Sequence, residues 1–235
     1  MTDEAAIVLS NEESTANTED AASEGTLETT NISEKCIADY DSYDEFIEDI
    51  KNLLDVMEES GKDAFFDRAQ QYEWFTYYMW LGLSNDNFGY LQVDIDGDGV
   101  DELLLGNNGS EDNSYEAYIN KMYTIRDDKV VPVFESYSES NFYGLCEDGV
   151  VKYVFNQPHV LHGVEYYRCK AGNLDLIEGI HYEWSDDVFQ NQFYYYDSSL
   201  QNRELTEKEY YEMVEELEHK YNRPKFQLHL FKDKQ

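Results

Sequence analysis

From Phe88 onward the chain is a succession of short runs rich in β-branched and aromatic residues, and tight turn signals divide those runs at close intervals. Asp127-Asp128-Lys129 separates 118–126 from 130–135, Asp148-Gly149 separates 142–147 from 150–155, and Gly172-Asn173 separates 164–170 from 174–178. Connections this short join only antiparallel neighbours, so the pattern predicts a β-meander of consecutive hairpins. The unit of aromatic strand, turn and aliphatic strand recurs roughly every 20 to 25 residues, as it does in propellers. Propeller blades need about 40 residues each and at least four copies, which this segment cannot supply. A single curved sheet is the expected outcome.

Helical spacing occurs on either side of the strand-rich run. Ser42-Tyr43-Asp44-Glu45 has the form of a capping box, and Phe46, Ile47, Ile50, Leu53, Leu54 and Met57 follow at intervals of three and four. Gly61 is the expected stop, with a second helix over 64–83. A second capping box, Thr206 to Glu209, with a Leu205 to Tyr210 staple, opens a third helix with the stripe Tyr210, Val214, Leu217 and Tyr221. Asn222-Arg223-Pro224 ends it before a last strand over 226–231. The predicted fold class is α+β: two N-terminal helices packed on a curved antiparallel β-meander, with a C-terminal helix and short last strand. The expected divisions are a disordered acidic leader at 1–39, a helical pair at 40–84, and the meander with its C-terminal helix at 85–235, with 40–235 forming one folded unit.

Charge narrows the partners. The 51 acidic side chains against 17 basic ones give a formal charge of -34, which disfavours nucleic-acid phosphates and anionic lipid. The first 34 residues hold nine carboxylates and no Lys or Arg, too little apolar surface to fold. The remaining acid excess lies in the folded body. No apolar run approaches the roughly 20 residues of a membrane span, and residues 1–20 lack the basic and apolar regions of a signal peptide. A leader of this kind stands ahead of a folded domain once a bacterial export signal or lipid-anchor peptide has been removed. The expected location is therefore extracytoplasmic, secreted or anchored at the cell surface, with the export signal absent from this chain.

The cysteines do not contradict that location. Cys36, Cys146 and Cys169 have no metal-ligand spacing, and an odd count leaves no complete disulfide framework. With the predicted turns, Cys146 faces Val151 and Cys169 faces Val150, on either side of one strand. Strands about 4.8 Å apart then put roughly 10 Å between the two, beyond the limit of about 7 Å for a bridge. Free thiols are expected.

The chemistry with the most specific spacing is in residues 94–105, Asp-Ile-Asp-Gly-Asp-Gly-Val-Asp-Glu-Leu-Leu-Leu. Asp94, Asp96 and Asp98 alternate so that a curling chain aims all three inward. Gly99 permits the turn, the Val100 carbonyl adds an uncharged oxygen, and Glu102 closes the cage. A hard divalent ion, Ca2+, needs six to eight oxygens at about 2.4 Å and fits this donor set. Leu105 stands where an EF-hand has its bidentate Glu, and strands rather than helices flank the loop, which excludes an EF-hand.

The pattern Asp-x-Asp-x-Asp-Gly-x-x-Glu followed by Leu103-Leu104-Leu105-Gly106 resembles the calcium loops of FG-GAP repeats in integrin α-subunit propellers, with Glu102 in place of the usual Asp. The resemblance implies calcium ligation over 90–106. The order of acidic leader, two helices, Asp-rich strand loop, aromatic meander and Leu-Thr-Glu-Lys-Glu-Tyr helix also resembles secreted or lipid-anchored proteins of Gram-positive gut bacteria, which implies a location and no activity. Val93-Asp94-Ile95-Asp96-Gly97 is similar as well to the first motif of haloacid-dehalogenase-type phosphatases, with Asp94 as nucleophile and Asp96 as acid/base. That family has Thr where Asp98 stands and needs a parallel sheet. It also needs a second acidic motif, for which only Asp186-Asp187 is available.

Elsewhere the chemistry is sparse. His159 and His162 have a spacing usable for zinc but no third ligand nearby, and no Ser or Cys lies in a nucleophile motif. The 21 tyrosines serve core and sheet pairing, and adjacent ones on a strand point to opposite faces, leaving an aromatic face for a ligand. Glu183, Trp184, Asp186 and Asp187 are candidates to join it. The function expected is a non-catalytic extracytoplasmic calcium-binding module, not an enzyme, with a protein or glycan ligand. The alternative is an acidic interaction protein, such as an immunity protein, an inhibitor or a nucleic-acid mimic, occupying a basic partner surface.

Overall fold

Leu103, Leu104 and Leu105 are all fully buried, which requires their strand to be covered on both faces. A computed structural model of the chain, describing residues 34–109, 118–136, 141–157, 160–185, 190–224 and 226–233, shows how this is done. The leader up to residue 33, His159, Asp186 and Asp187 lie outside the described residues. Leu103 and Leu105 face α1 (Tyr43–Ala69) and α2 (Tyr77–Leu83) in a core with Phe46, Ile50, Leu53, Phe65, Trp74 and Tyr123. Leu104 faces the opposite way, into a second core with Met122, Leu145, Val151 and Cys169. A third core joins Val150, Tyr166 and Ile180 to Tyr210 and Leu217 of α3 (Glu207–Lys220) and to Tyr221, which caps that helix. The class is α+β, dominated by an antiparallel sheet.

The strands are β1 (Phe88–Val93), β2 (Glu102–Asn107), β3 (Tyr118–Arg126), β4 (Lys129–Glu135), β5 (Phe142–Leu145), β6 (Val150–Gln157), β7 (Leu161–Lys170), β8 (Asn173–Ser185), β9 (Gln190–Asp197), β10 (Arg203–Leu205) and β11 (His229–Leu230). They form one sheet in the order β10-β9-β8-β7-β6-β5-β3-β2-β1-β11, with β4 off this path and paired, among the described strands, to β3 alone. The meander is thus not a run of consecutive hairpins throughout. β2 holds one edge of β3, and β4 and β5 share the other: β4 pairs with 121–126 and β5 meets Ile119 through Tyr143. Pro132 lies within β4 opposite Tyr123, and a residue without an amide hydrogen suits a strand with only one neighbour.

The turns mostly stand where the sequence put them. Asp127 and Asp128 both have positive φ, as a two-residue hairpin turn requires, and so do Asp148 and Gly149. The β7–β8 turn falls at Ala171-Gly172, one residue earlier than expected. The helices depart further. Gly61 (φ 82°, ψ -179°) leaves helical geometry where the stop was expected, so α1 is two helical stretches meeting at a kink; the expected second helix is broken again over 70–76, so Phe65, Phe66 and Ala69 belong to the second stretch of α1 and only 77–83 form α2. Ser42 caps Glu45 N–H at 3.3 Å, but the Glu45 carboxylate turns to Lys35 at 2.8 Å instead of closing the box. Lys35 also pairs with Asp49, so the described chain is already packed from residues 34–40 onward, where Tyr40 is fully buried. The last strand is shorter than expected, two residues against six.

All three cysteines are free. The predicted pairings were each one residue off, since Leu145 faces Val151 and Arg168 faces Val150. Cys146 and Cys169 belong to different cores, on opposite sides of the sheet.

The predicted cap and stripe of α3 are present, with Thr206 and Glu209 bonded reciprocally and Leu205 packed near Tyr210. Glu178 of β8 fastens this helix, accepting from Lys220 (2.5 Å), Tyr195 (2.8 Å) and Tyr221. Burial alone would raise its pKa, but these three donors outweigh it and hold the carboxyl below its ordinary range. A depressed carboxyl stabilises the fold above its unfolded pKa of about 4.3, and the contribution disappears as pH falls through the lower folded value. In urea unfolding, the gap between wild type and Glu178→Gln is expected to hold from about pH 7 to about pH 5 and to close below about pH 4. A gap unchanged in strong acid would show that the charge on Glu178 is not what fastens α3.

Candidate metal centre

The loop between β1 and β2 is folded by its own carboxylates. Asp94 accepts from the Gly97 amide at 2.7 Å and the Gly99 amide at 3.0 Å, Asp96 from Asp98 at 3.1 Å, and Asp98 from Val100 at 2.8 Å. The last two are Asx-type turns, and in all four bonds a short acidic side chain replaces a backbone partner. Gly97 (φ 77°) and Gly99 (φ 91°) take the left-handed conformations that let the chain reverse twice in so few residues.

Distant segments clamp the loop from outside. The Ala171 amide of the β7–β8 turn donates to Asp96 Oδ2, and the Tyr43 hydroxyl of α1 donates to the Asp101 carbonyl at 2.7 Å. The β5–β6 turn lies so close that a Cβ on Gly149 would stand 3.0 Å from the Ile95 carbonyl oxygen. At the far end of β3, Arg126 donates to the Ala171 and Gly172 carbonyls at 3.1 and 2.5 Å and holds the β7–β8 turn in place.

Glu102 opens β2 and is fully buried. Its Oε2 accepts from the Ile95 amide at 3.0 Å and its Oε1 from the Thr124 hydroxyl at 3.2 Å. Burial raises its pKa, the Ile95 amide offsets part of that, and Asp96 and Asp98 add to it by repulsion. Among the described residues it belongs to no ion pair. Asp94, Asp96 and Glu102 each offer a carboxylate oxygen, and the three lie within 4.8 Å of one another, a group that could hold a metal ion. Asp98 is exposed and outside this group, turned onto its own loop, and Val100 enters through its backbone only.

Spacing identified the carboxylates but not their supports. Thr124, Ala171 and Tyr43 are far along the chain, and nothing local to them marks a role beside the loop. Of the other residues singled out, His162 packs beside Tyr182 with ring centres 5.4 Å apart, in no cluster of ligating side chains among the described residues. Cys169 stands 4.0 Å from Asp96 Oδ2, its thiol pushed up to about 12 by burial and by Glu102 and Asp96, so it remains protonated beside an all-oxygen group. β1 and β2 pair antiparallel, whereas the phosphatase resemblance requires a parallel sheet. Among the described residues no helix is long and apolar enough to cross a membrane. No protein family, curated protein or solved structure matches the chain.

Proposed function

We propose that the chain is a non-catalytic, extracytoplasmic calcium-binding module in which calcium is structural and the sheet serves a ligand. The observation that carries this is Glu102, a fully buried carboxylate with no cationic partner among the described residues, converging with Asp94 and Asp96. A buried charge needs a counter-charge, and three hard oxygens with further loop carbonyls in reach suit calcium better than softer metals. The order of carboxylates, similar to FG-GAP loops, supports the same ion. Asp94, Asp96 and Glu102 form the core of the ligand set, and Asp98 and the Val100 carbonyl complete it. The ion ties β1 and β2 to the two hairpin turns that touch the loop. Extracellular modules bind calcium with dissociation constants of roughly 0.1 to 1 mM, which matches calcium outside cells and not inside them.

Isothermal titration tests this directly. The wild type is expected to bind one calcium ion in that range, Asp96→Ala to lose binding, and Asp98→Ala to lose less because its side chain lies outside the convergent group. Absence of binding at millimolar calcium, or an Asp96→Ala variant that titrates like the wild type, would overturn the proposal.

A further inference from the structure

The face of the sheet opposite α3 carries a second feature, remote in the sheet from the aspartate loop. Cross-strand pairing puts Tyr153, Glu165, Gly179 and Tyr196 in one row over β6 to β9. Phe155, Gly163, His181 and Tyr194 form the next row. Near Val151 this face is covered by the second core, and beyond Tyr153 it opens into a wide, solvent-open cleft of about 770 Å³. Tyr153, Phe155, Glu165, His181, Glu183 and Tyr196 line it, with amide side chains at its rim.

The two glycines are what make the aromatic lining possible. A Cβ on Gly179 would stand 2.5 Å from the Tyr196 ring, and one on Gly163 would stand 2.3 Å from the Phe155 ring. Tyr196 therefore lies across β8 and reaches Glu165 on β7, donating to one oxygen at 2.5 Å while Tyr167 donates to the other at 2.5 Å. These bonds fix the carboxylate without neutralising it, and each oxygen keeps acceptor capacity. On the other side, Tyr153 is backed by Tyr143 at 4.5 Å and Tyr143 by Phe134 at 3.6 Å between ring centres, so its ring is held by a stack rooted in the core. Burial lowers the His181 pKa, so at neutral pH that ring carries no charge.

The lining thus combines aromatic rings, two carboxylates and, among the described residues, no Lys or Arg. Anions are disfavoured by this set and by the charge of -34 on the whole chain. Glu165, His181 and Glu183 form no group close enough to hold a metal ion among the described residues. Aromatic faces around a fixed carboxylate suit a cation that also has apolar substituents. We propose that this cleft binds a small organic ammonium ion, its charge set against Glu165 and its carbon atoms against Tyr153, Phe155 and Tyr196.

The test is titration of the full chain at constant calcium, followed by the NMR signals of the ligand, with choline, tetramethylammonium and 3,3-dimethylbutan-1-ol, the uncharged isostere of choline. Choline and tetramethylammonium are expected to bind, and the neutral alcohol to bind at least about tenfold more weakly. Glu165→Gln, which preserves shape and can still bond both tyrosines, is expected to lower choline affinity by about tenfold. Phe155→Leu, which leaves Glu165 and its bonds intact, is expected to weaken it as well, with an unchanged near-ultraviolet dichroism spectrum for both variants. Equal binding of choline and the alcohol, no binding of either ammonium ion, or binding of a neutral oligosaccharide in their place would overturn the proposal.

Discussion

In chelator, Glu102→Gln is expected to unfold at the wild-type temperature or slightly above it, and to gain nothing when calcium is added. The amide can keep both local partners: its oxygen accepts from the Ile95 amide, and its nitrogen donates to the Thr124 hydroxyl, which is free to rotate. What the substitution removes is a buried negative charge, which is costly without a counter-ion and is the main attraction for one. The wild type at calcium about tenfold to a hundredfold above its dissociation constant should gain about 1.4 to 2.7 kcal/mol, a rise of roughly 3 to 10 °C in a domain of this size. Scanning calorimetry with and without calcium measures both arms. If Glu102→Gln responds to calcium as the wild type does, Glu102 is a structural acceptor and not a ligand. If it is strongly destabilised in chelator, the negative charge itself is needed by the apo fold.

Phe46→Ala is expected to cost about 3 to 5 kcal/mol, the usual range for emptying a fully buried aromatic site. The ring sits 4.9 Å from Trp74, 5.0 Å from Tyr40 and 5.2 Å from Tyr123, centre to centre, and so joins α1, the broken segment after it and β3. The melting temperature should fall by roughly 10 °C, and the calcium-induced rise should persist because Phe46 does not touch the loop ligands. A loss below about 1 kcal/mol in denaturant unfolding would mean that the helices are not fastened to the sheet through this core.

What could be read in the sequence depended on whether its cause was local. Turns at Asp127-Asp128 and Asp148-Gly149 follow from the backbone conformations those residues tolerate, and the α3 cap follows from Thr206 and Glu209 bonding across one turn. The apolar stripe of α3 emerged for the same reason. The branching of β4 and β5 along one edge of β3 is set by a pairing between residues far apart, and only Pro132 hinted that β4 would have a single neighbour. The break of helical geometry at Gly61 has a local cause in glycine itself, whereas the second break over 70–76, where Tyr72 and Trp74 turn into the core, has none that the sequence shows. In the candidate site, Asp94, Asp96 and Glu102 were legible from spacing alone. The orientation of Asp98 was not, since it depends on which amide its side chain meets first once the loop has closed.

The three leucines of β2 leave one problem to the residues beside them. A strand shifted by one position exchanges its two faces, and in most strands this drives polar side chains into the core. Here the shift would replace leucine by leucine on both sides, so hydrophobicity does little to select the alignment of β2. The positions that do select it are at its ends. Gly106, where a Cβ would stand 2.0 Å from the Tyr118 carbonyl oxygen, admits no larger residue, and Glu102 meets its two donors in one alignment only. The carboxylate proposed to hold calcium therefore also acts as an index mark for β2, and an ion bound there would suppress misaligned pairings as the sheet assembles.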